Sequence, residues 1–403
     1  MKSTLHIALF VSLSLLFAAC SKEASSEVAA ATAATTPPAP PPIPVPAPPT
    51  VPGKGYLLMD YASGQILVEH DIMERLEPAS LTKIMTAYAV FDALRSGSLK
   101  LSDTVTISEH AWRSGGAVTE GSTSFLPVHS QVPVEVLLQG MIVQSGNDAS
   151  IALAERIAGS EDAFAQLLNS YAKRLGMIAS HFENSTGLPS ANHFTTAHDM
   201  ALLSRAIIRD FPQYYHYFSE RQYTYNGITQ HNRNGLLSTD PSVDGLKTGH
   251  TEKAGYCLVT SAKRDDMRLI AVVMGTPSTK ARESANAALL NYGFNFFESK
   301  QLYAAGQPIG KTHVWKGVEK ELSLAAAQPV IVTVPRGHEN QLQTKLEIPP
   351  SVIAPIAKNA TVGTLTIAFD GKTLMTAPLQ AQQEVAEAGV FGRMLDSIRM
   401  RFE

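Results

Sequence analysis

Three short polar strings constrain this chain more than any other feature of its sequence. They are Ser80-Leu-Thr-Lys83, Ser145-Gly-Asn147 and Lys247-Thr248-Gly249. Each string is weak on its own, because a serine followed three residues later by a lysine often occurs by chance. A serine hydroxyl becomes a good nucleophile only when a neighbouring base removes its proton. Together, and in this order, the strings predict one domain that carries out acyl transfer through a serine ester.

The first string opens a predicted helix from about Leu81 to Arg95, which ends just before Gly97. Ser80 stands at the start of this helix and Lys83 follows one turn later. Residues three apart share a helix face, so the lysine amine can lie beside the serine hydroxyl. The helix N-terminus also favours negative charge that develops there. Alone, Ser80 would be interpreted as an N-cap, but the other two strings favour a nucleophile.

The second string lies between two predicted helices, one from Val132 to Val143 and one from Asp148 to about Ala158. Gly146 suits a tight turn that presents the side chains of Ser145 and Asn147. In isolation these residues would be interpreted as an ordinary loop between helices. Their position between the other two strings favours a catalytic turn.

The third string lies in a segment from Asp244 to Thr260 that predicts a strand, a turn and a second strand, and Met267 to Met274 predicts a further strand. Gly249 allows close backbone approach by a ligand. A Lys-Thr-Gly string on a strand edge can bind an extended peptide by strand addition. This segment therefore predicts a peptide-binding edge.

Longer strings around these motifs resemble the low-molecular-mass penicillin-binding proteins, and among these the D-alanyl-D-alanine carboxypeptidases of the peptidase S11 type. The strings are Glu77-Pro-Ala-Ser-Leu-Thr-Lys-Ile-Met-Thr86, Gln144-Ser-Gly-Asn-Asp-Ala149, Asn184-Ser-Thr-Gly-Leu-Pro189 and Asp244-Gly-Leu-Lys-Thr-Gly-His-Thr251. The resemblance implies an α/β (α+β) serine β-lactamase/transpeptidase-like catalytic domain with a smaller C-terminal all-β domain. It also implies removal of the terminal D-alanine from peptidoglycan pentapeptide stems, with β-lactams as covalent inhibitors.

The resemblance implies a role for each catalytic residue. Ser80 would attack the carbonyl of the penultimate D-alanine, and neutral Lys83 would take the hydroxyl proton. Lys247 could lower the pKa of Lys83 into a useful range. Ser145 would relay a proton to the departing amine, and Asn147 would orient the acyl part of the substrate.

The resemblance also implies a substrate-binding set. Lys247, Thr248 and Gly249 would face the terminal carboxylate, and the backbone N–H groups of Ser80 and His250 would form an oxyanion hole. Two arginines are candidates for steadying the carboxylate, although ordinary surface ion pairs would explain them nearly as well. These arginines are Arg233 and Arg282.

Other functions remain as alternatives. A D,D-endopeptidase would use the same residues. A class A-like β-lactamase is disfavoured because Gly146 stands where that signature has aspartate. That class also uses a glutamate followed four residues later by asparagine. None of the four glutamates between Asn147 and Lys247 has asparagine at that position: Glu155, Glu161, Glu183 and Glu220. A penicillin-sensing or cell-wall-binding lipoprotein would not need the intact motifs. No His-Glu-x-x-His string exists, and His193 and His198 are loosely spaced, so no metal or other cofactor is predicted.

The N-terminal region predicts export and anchoring. Residues 1–20 read as a signal peptide that ends Leu16-Phe-Ala-Ala-Cys20. Small residues before a cysteine resemble a lipobox and predict lipidation of Cys20, with an ordinary cleaved signal as the alternative. Cys257, the only other cysteine, lies in an apolar strand and is predicted to pack. A Pro/Ala-rich linker over residues 21–53 predicts a tether with a reach on the order of 100 Å.

The remaining chain divides into three parts. A catalytic domain is predicted over 54–299, a small β-rich domain over 300–381 and an amphipathic helix over 382–403. The apolar positions of the helix are Phe391, Met394, Leu395, Ile398 and Phe402. The family resemblance implies that this helix lies on a membrane, and docking on the protein's own surface is the alternative. The net charge of −3 argues against nucleic-acid binding. The predicted location is periplasmic, on either membrane.

Overall fold

The computed structural model describes residues 44–116 and 121–402. The predicted signal peptide, Cys20 and linker residues 21–43 lie outside the described residues. These described residues belong to one compact unit.

The elements of the N-terminal region are, in chain order, β1 (Gly55–Asp60), β2 (Ile66–His70), α1 (Thr82–Ser96), β3 (Thr104–Thr106), α2 (Glu109–Gly115), β4 (Gln131–Pro133), α3 (Val134–Gln139), α4 (Asn147–Ala158), α5 (Glu161–Arg174), α6 (Ala197–Asp210), β5 (Gln222–Tyr225), β6 (Ile228–His231), α7 (Leu236–Thr239), β7 (Val243–Thr251), β8 (Gly255–Arg264), β9 (Met267–Thr276) and α8 (Thr279–Phe296). The C-terminal region contains β10 (Phe297–Tyr303), β11 (Pro308–Trp315), β12 (Glu321–Ala326), β13 (Val330–Pro335), β14 (Gln343–Glu347), β15 (Ser351–Ile353), β16 (Thr361–Phe369), β17 (Lys372–Ala381) and α9 (Val390–Arg399).

A five-stranded antiparallel sheet, in the order β2-β1-β9-β8-β7, forms the middle layer of the N-terminal region. Successive side chains of a strand point to opposite faces. In β1, Leu57 joins the core beneath the helices that include α1, whereas Leu58 joins the core beneath α8. Both faces are therefore apolar and covered, and β7 lies at one edge with the Lys-Thr-Gly string.

Helix α1 lies at the centre of the larger core. It extends from Thr82 to Ser96, close to the predicted range, and Gly97 ends it in a left-handed conformation with φ 76°. Within α1 only Asp92, Arg95 and Ser96 escape burial. The structure thus packs the helix on nearly all sides. Lys83 is consequently enclosed together with its apolar neighbours.

The helix predicted from Val132 to Val143 is wrong in detail. The chain forms β4, then α3, and then a π-helical turn over Gly140–Gln144. Pro133 ends the strand and precedes the first helical residue, a position where its missing N–H costs no helical hydrogen bond. The wider turn brings the amide of Gly146 to 3.0 Å from the carbonyl oxygen of Gly140 and so shapes the catalytic turn.

The C-terminal region is built mainly from strands. A six-stranded sheet has the order β14-β16-β17-β12-β11-β15, and β10 pairs with β13. Its apolar core is separate from the two cores of the N-terminal region. Polar contacts join the two regions: Ser63 Oγ lies 2.7 Å from Thr333 Oγ1, and Ser299 Oγ donates to Asp60 at 2.5 Å.

The predicted C-terminal helix is shorter than the 382–403 range, since α9 begins at Val390. Val385 is buried in the C-terminal core and exchanges backbone hydrogen bonds with Ile356. This pairing keeps the residues before 390 extended. Within residues 44–116 and 121–402, no helix combines the length and apolar character needed to cross a bilayer.

The linker prediction is wrong at its C-terminal end. Val51 is buried in the core beneath α8. The Tyr292 hydroxyl donates to the carbonyl oxygen of Pro46 at 3.0 Å, and the amide of Lys54 donates to Met274 at 2.8 Å. Residues 44–53 therefore pack on the catalytic region, because valines among the prolines supply apolar side chains that a core can bury.

We expect Val51→Ala to lower the free energy of unfolding of the catalytic region by about 1.5 kcal/mol, since each buried methyl group contributes about 0.8 kcal/mol. Urea denaturation of the mature chain measures this change. Val318→Ala is the matched control, because Val318 is 58% exposed. Equal stabilities of both variants and the wild type would show that residues 44–53 are a free tether.

Candidate active site

The predicted nucleophile lies in a single 3-10 turn, Ala79–Leu81, that leads into α1. Its hydroxyl, Ser80 Oγ, is 3.1 Å from Lys83 Nζ. Ala79 has a left-handed backbone with φ 47°, which is uncommon outside glycine. The turn is held against the 184–188 loop, where a Cβ at Gly187 would lie 1.7 Å from the carbonyl oxygen of Ala79. The nucleophile is thus fixed by crowded backbone contacts.

The hydrogen bonds of Lys83 place its amine between two acceptors and the nucleophile. Lys83 Nζ is 2.7 Å from both Asn147 Oδ1 and the carbonyl oxygen of Thr186. These two oxygens are pure acceptors, so they take the two N–H bonds that a neutral amine possesses. The lone pair then points to the third neighbour, Ser80 Oγ. This arrangement lets the amine receive the hydroxyl proton.

The lowered pKa of Lys83 favours its neutral amine. The pKa of Lys83 is lowered to about 7, first by burial and second by the positive charge of Arg233. The carboxylates of Asp148 and Glu161 oppose this shift. Lys247 was expected to be the cation that lowers this pKa. Instead, burial and the charge of Lys83 lower the pKa of Lys247 well below its usual value.

In the Ser145–Asn147 turn, the left-handed backbone conformation belongs to Ser145 and not to Gly146. Ser145 has φ 70°, whereas Gly146 has φ −56°. Glycine is required at 146 for space, because a Cβ there would lie 2.1 Å from Ser124 Oγ. Ser145 Oγ is buried and has no hydrogen-bond partner among the described residues. Its hydroxyl is therefore available to a bound substrate.

The third string lies on β7. Lys247 is buried, and its Nζ is 3.2 Å from the carbonyl oxygen of Thr248. Gly249 was expected to admit a ligand. Instead, a Cβ at this position would meet the carbonyl oxygen of Pro78 at 2.9 Å. The missing side chain thus lets β7 approach the turn that carries the nucleophile.

Both candidate arginines line the cavity, and neither forms an ion pair within the part of the chain that the structure describes. Arg282 is buried; its NH1 donates to Gly249 at 3.3 Å and its NH2 to the carbonyl oxygen of Arg233 at 3.4 Å. Burial lowers the pKa of each arginine. The burial of Arg282 differs from the surface ion pair that was the alternative for this residue.

A cavity of about 460 Å³ joins these groups. The predicted residues that line it are Ser80, Ser145, Asn147, Arg233, Thr248, Gly249, His250 and Arg282. Its described lining includes the guanidinium groups of Arg233 and Arg282, which bring positive charge to the cavity. The His250 ring stacks on Tyr256 at 4.0 Å between centroids, at the exposed side. Such a cavity suits a ligand with a carboxylate.

Two residues that hold the active site in place were not predicted from the sequence. Thr186 holds Lys83 through its backbone, and Glu161 Oε1 holds the same loop by accepting from the amide and hydroxyl of Ser185 at 3.0 and 2.6 Å. A backbone carbonyl leaves no mark in a sequence. The Asn184-Ser-Thr-Gly string gives a partial signal, since Asn184 Oδ1 accepts from the amides of Thr186 and Gly187.

The two histidines considered as ligands have structural partners. His193 is buried with Nε2 3.0 Å from Thr82 Oγ1, and burial lowers its pKa to about 4. His198 Nδ1 lies 3.4 Å from Asp199 at the start of α6. Among the described residues, no three histidine, cysteine or acidic side chains are grouped in a way that could hold a metal ion.

Comparison with known proteins agrees with this geometry. The sequence profile of the family described as D-alanyl-D-alanine carboxypeptidase, peptidase S11, matches residues 44–278. The chain belongs to the D-alanyl-D-alanine carboxypeptidase family. The profile of the penicillin-binding protein 5 C-terminal domain matches residues 297–387. The chain is therefore a serine-type D-alanyl-D-alanine carboxypeptidase of the penicillin-binding group, as predicted.

Individual members of the family are similar over most of their length. The chain is 43% identical to D-alanyl-D-alanine carboxypeptidase DacA of Escherichia coli K12, over 88% of this chain and 89% of that protein. The crystal structure of penicillin binding protein 5 from Haemophilus influenzae is 41% identical, with a TM-score of 0.82 over 85% of this chain and 100% of that one. A mutant of the Streptomyces K15 DD-transpeptidase is 29% identical, with a TM-score of 0.58 over 61% of this chain and 99% of that one. The predicted fold class is confirmed.

We expect the rate of acylation by a fluorescent penicillin to rise with pH through about 7, because only the neutral form of Lys83 accepts the Ser80 proton. Arg233→Gln removes a positive charge that lowers this pKa, so the rise should move to higher pH. Arg221→Gln, on the exposed hairpin before Arg233, is the control that should leave it unmoved. A pH-independent rate between 5.5 and 8.5 would contradict the role of Lys83.

Proposed function

We propose that this carboxypeptidase uses Ser80 as the nucleophile and Lys83 as its general base. Ser80 Oγ attacks the carbonyl carbon of the penultimate D-alanine while its proton passes to Lys83 Nζ. The peptide C–N bond then breaks, D-alanine leaves, and water hydrolyses the ester on Ser80. The 3.1 Å contact between Ser80 Oγ and an amine whose N–H bonds are otherwise engaged is the main support.

In this proposal Ser145 carries the proton to the departing amine. Its hydroxyl lacks a partner within the described residues, although it is buried. An unpaired buried hydroxyl is costly, and a substrate amine would satisfy it. Asn147 orients the acyl part of the substrate while it holds Lys83. Lys247 completes this group by offering N–H donors next to the developing intermediate.

The terminal carboxylate of the substrate would bind among Thr248, Arg233 and Arg282, beside Lys247. The two arginines supply charges that no acidic side chain neutralises by an ion pair within the described part of the chain. The backbone N–H groups of Ser80 and His250 would receive the oxyanion, each donor contributing about 3 to 4 kcal/mol. The substrate class that fits is a peptidoglycan pentapeptide stem that ends in D-alanyl-D-alanine.

Slow β-lactam turnover follows from the same geometry. Rapid hydrolysis of the acyl-enzyme in class A β-lactamases needs a glutamate that activates water. Of the acidic residues considered, Glu161 contributes to the electrostatics of Lys83, yet its oxygens are engaged by Ser185 and by His110 at 3.2 Å. β-Lactams should therefore persist as esters of Ser80.

We also propose a periplasmic enzyme attached to a membrane through lipidated Cys20 and through α9. The only buried residue of α9 is Asp396, which accepts from Lys320 Nζ and from the amide of Lys316, each at 2.7 Å. The apolar side chains of the helix, and that of Phe402 just after it, are exposed: Val390, Phe391, Met394, Leu395, Ile398 and Phe402. This exposure favours a lipid surface over docking on the protein itself.

Ser80→Ala should abolish the release of D-alanine from purified pentapeptide muropeptides, because no other group can form the ester. Mass spectrometry of the products would show the loss of one alanine with the wild type only. Ser98→Ala, on the exposed turn after α1, is the control and should retain full activity. Unchanged muropeptides with the wild-type enzyme would refute the proposed activity, and cleavage of cross-linked dimers would reveal endopeptidase action.

Cys20→Ala and a truncation before Val390 should each weaken membrane attachment, and the double variant should be released. The lipid and the apolar face of α9 add their binding energies to one membrane. Fractionation of cell envelopes with antibody detection measures the bound share. Full release of the protein by the truncation alone would show that Cys20 carries no lipid anchor. Full membrane retention of the double variant would exclude both the lipid at Cys20 and α9 as anchors.

A further inference from the structure

Asp148 is a buried carboxylate that directly follows Asn147 in the catalytic turn. It forms no ion pair with any residue of the described chain. Its Oδ1 accepts from the amide of Ser124 at 2.8 Å and from that of Ala149 at 2.9 Å. Its Oδ2 accepts from Thr123 Oγ1 at 2.9 Å and from the amide of Leu126 at 3.1 Å.

These donors favour an ionised carboxylate. A backbone N–H can only donate, and both oxygens of Asp148 receive such bonds. A protonated acid would turn one oxygen into a donor facing another donor. Burial raises the pKa of Asp148, and the bonds from Ser124, Leu126 and Thr123 oppose that rise. The side chain is thus a negative charge held by neutral donors.

The segment that Asp148 binds is part of the catalytic cavity. Ser122 lines the cavity, and its carbonyl oxygen accepts from the amide of Asn147 at 2.8 Å. Two residues further on, Ser124 packs so closely on the turn that position 146 has no room for a side chain. Asn147 in turn holds Lys83 Nζ at 2.7 Å. Asp148 therefore joins the cavity wall to the residue that orients the base.

We propose that Asp148 is a positioning residue for acyl transfer: its carboxylate holds the 123–126 segment against the Ser145–Asn147 turn and places a fixed negative charge behind Lys83. This inference rests on the proposed roles of Ser80 and Lys83. Asp148 touches neither the nucleophile nor the cavity, and it acts through Asn147 and through its charge.

The negative charge of Asp148 raises the pKa of Lys83. The charges that act on Lys83 are those of Arg233, in the segment after β6, and of Asp148 and Glu161 on α4 and α5. The charges of Lys83 and of Arg282 on α8 act on Lys247, which lies on β7. The two carboxylates raise the pKa of Lys83, while burial and Arg233 lower it. Removal of the charge at 148 therefore lowers this pKa further, and the acidic limb of the acylation profile moves to lower pH.

The test compares Asp148→Asn with Asp199→Asn in the mature chain. Asp199 is also fully buried and also accepts from a backbone amide, that of Ala179 at 2.9 Å, and from the Ser180 hydroxyl at 2.7 Å. It lies on α6, outside the proposed catalytic set. Both variants should lose stability, so thermal unfolding is measured first to set a temperature at which each protein is folded.

The decisive measurement is the rate of acylation by a fluorescent penicillin from pH 5 to 9. For Asp148→Asn we expect a rate roughly 100-fold lower at the plateau, the scale of a 1 Å misplacement, together with an acidic limb at lower pH. Asp199→Asn should keep the wild-type plateau and limb. An unchanged plateau for Asp148→Asn, or a lower plateau with an unmoved limb, would overturn the proposal.

Thr123→Val keeps the test decisive if Asp148→Asn does not fold. This variant removes one donor to Asp148 and retains the charge, so the plateau should fall several-fold and the limb should not move. An unchanged plateau would contradict the positioning role. Absence of acylation in the wild type would overturn the proposed function and this inference together, whereas normal wild-type acylation with unaffected variants would overturn the inference alone.

Discussion

The burial of the Lys83 amine is the constraint on which the rest of the site depends. A charged ammonium loses its hydration inside a protein, so burial favours the neutral base. The helix that carries Lys83 is enclosed on nearly all sides, which leaves the amine only the partners that the fold provides. Two of these partners are pure acceptors and the third is the nucleophile. The chemistry therefore follows from where α1 is packed, and the same packing excludes solvent from the base.

Small residues allow the motifs to meet. Gly187 and Gly249 both leave room for the backbone around Ala79 and Pro78, and Gly146 leaves room for Ser124. Each contact joins two segments that are distant in sequence. A methyl group at any of these positions would separate the nucleophile from its partners by displacing backbone atoms. Glycine here serves close approach between chain segments more than flexibility.

Much of the site could be predicted from the sequence because its side chains fall in short strings whose order is informative. Ser80 and Lys83 are linked by helix geometry alone. The left-handed residue of the catalytic turn could not be predicted, since the neighbouring Gly146 offers the more obvious local explanation. The Thr186 carbonyl was equally hidden, because backbone groups are common to all residues. Asp148 was only the first residue of a predicted helix.

Some parts of the fold could likewise be predicted from the sequence and others could not. The strands of the central sheet carry long apolar runs, and α1 has a clear start and a glycine at its end, so both were predictable. The true start of α9 was not, because Val385 is held by pairing with Ile356, a contact distant in sequence. The docking of residues 44–53 was also hidden, since a proline-rich composition indicates an extended chain whether or not a surface binds it.

That docking would shorten the reach of the enzyme from a lipid anchor at Cys20. With residues 44–53 fixed to the body, about 23 residues remain between Cys20 and the folded surface, a span on the order of 70 Å when extended. A lipid at Cys20 would confine the catalytic cavity to a shallow layer above the membrane. Within that layer the enzyme meets the same small population of stem peptides repeatedly. The local concentration of substrate, more than its bulk amount, would then govern how much of the nearby wall is trimmed.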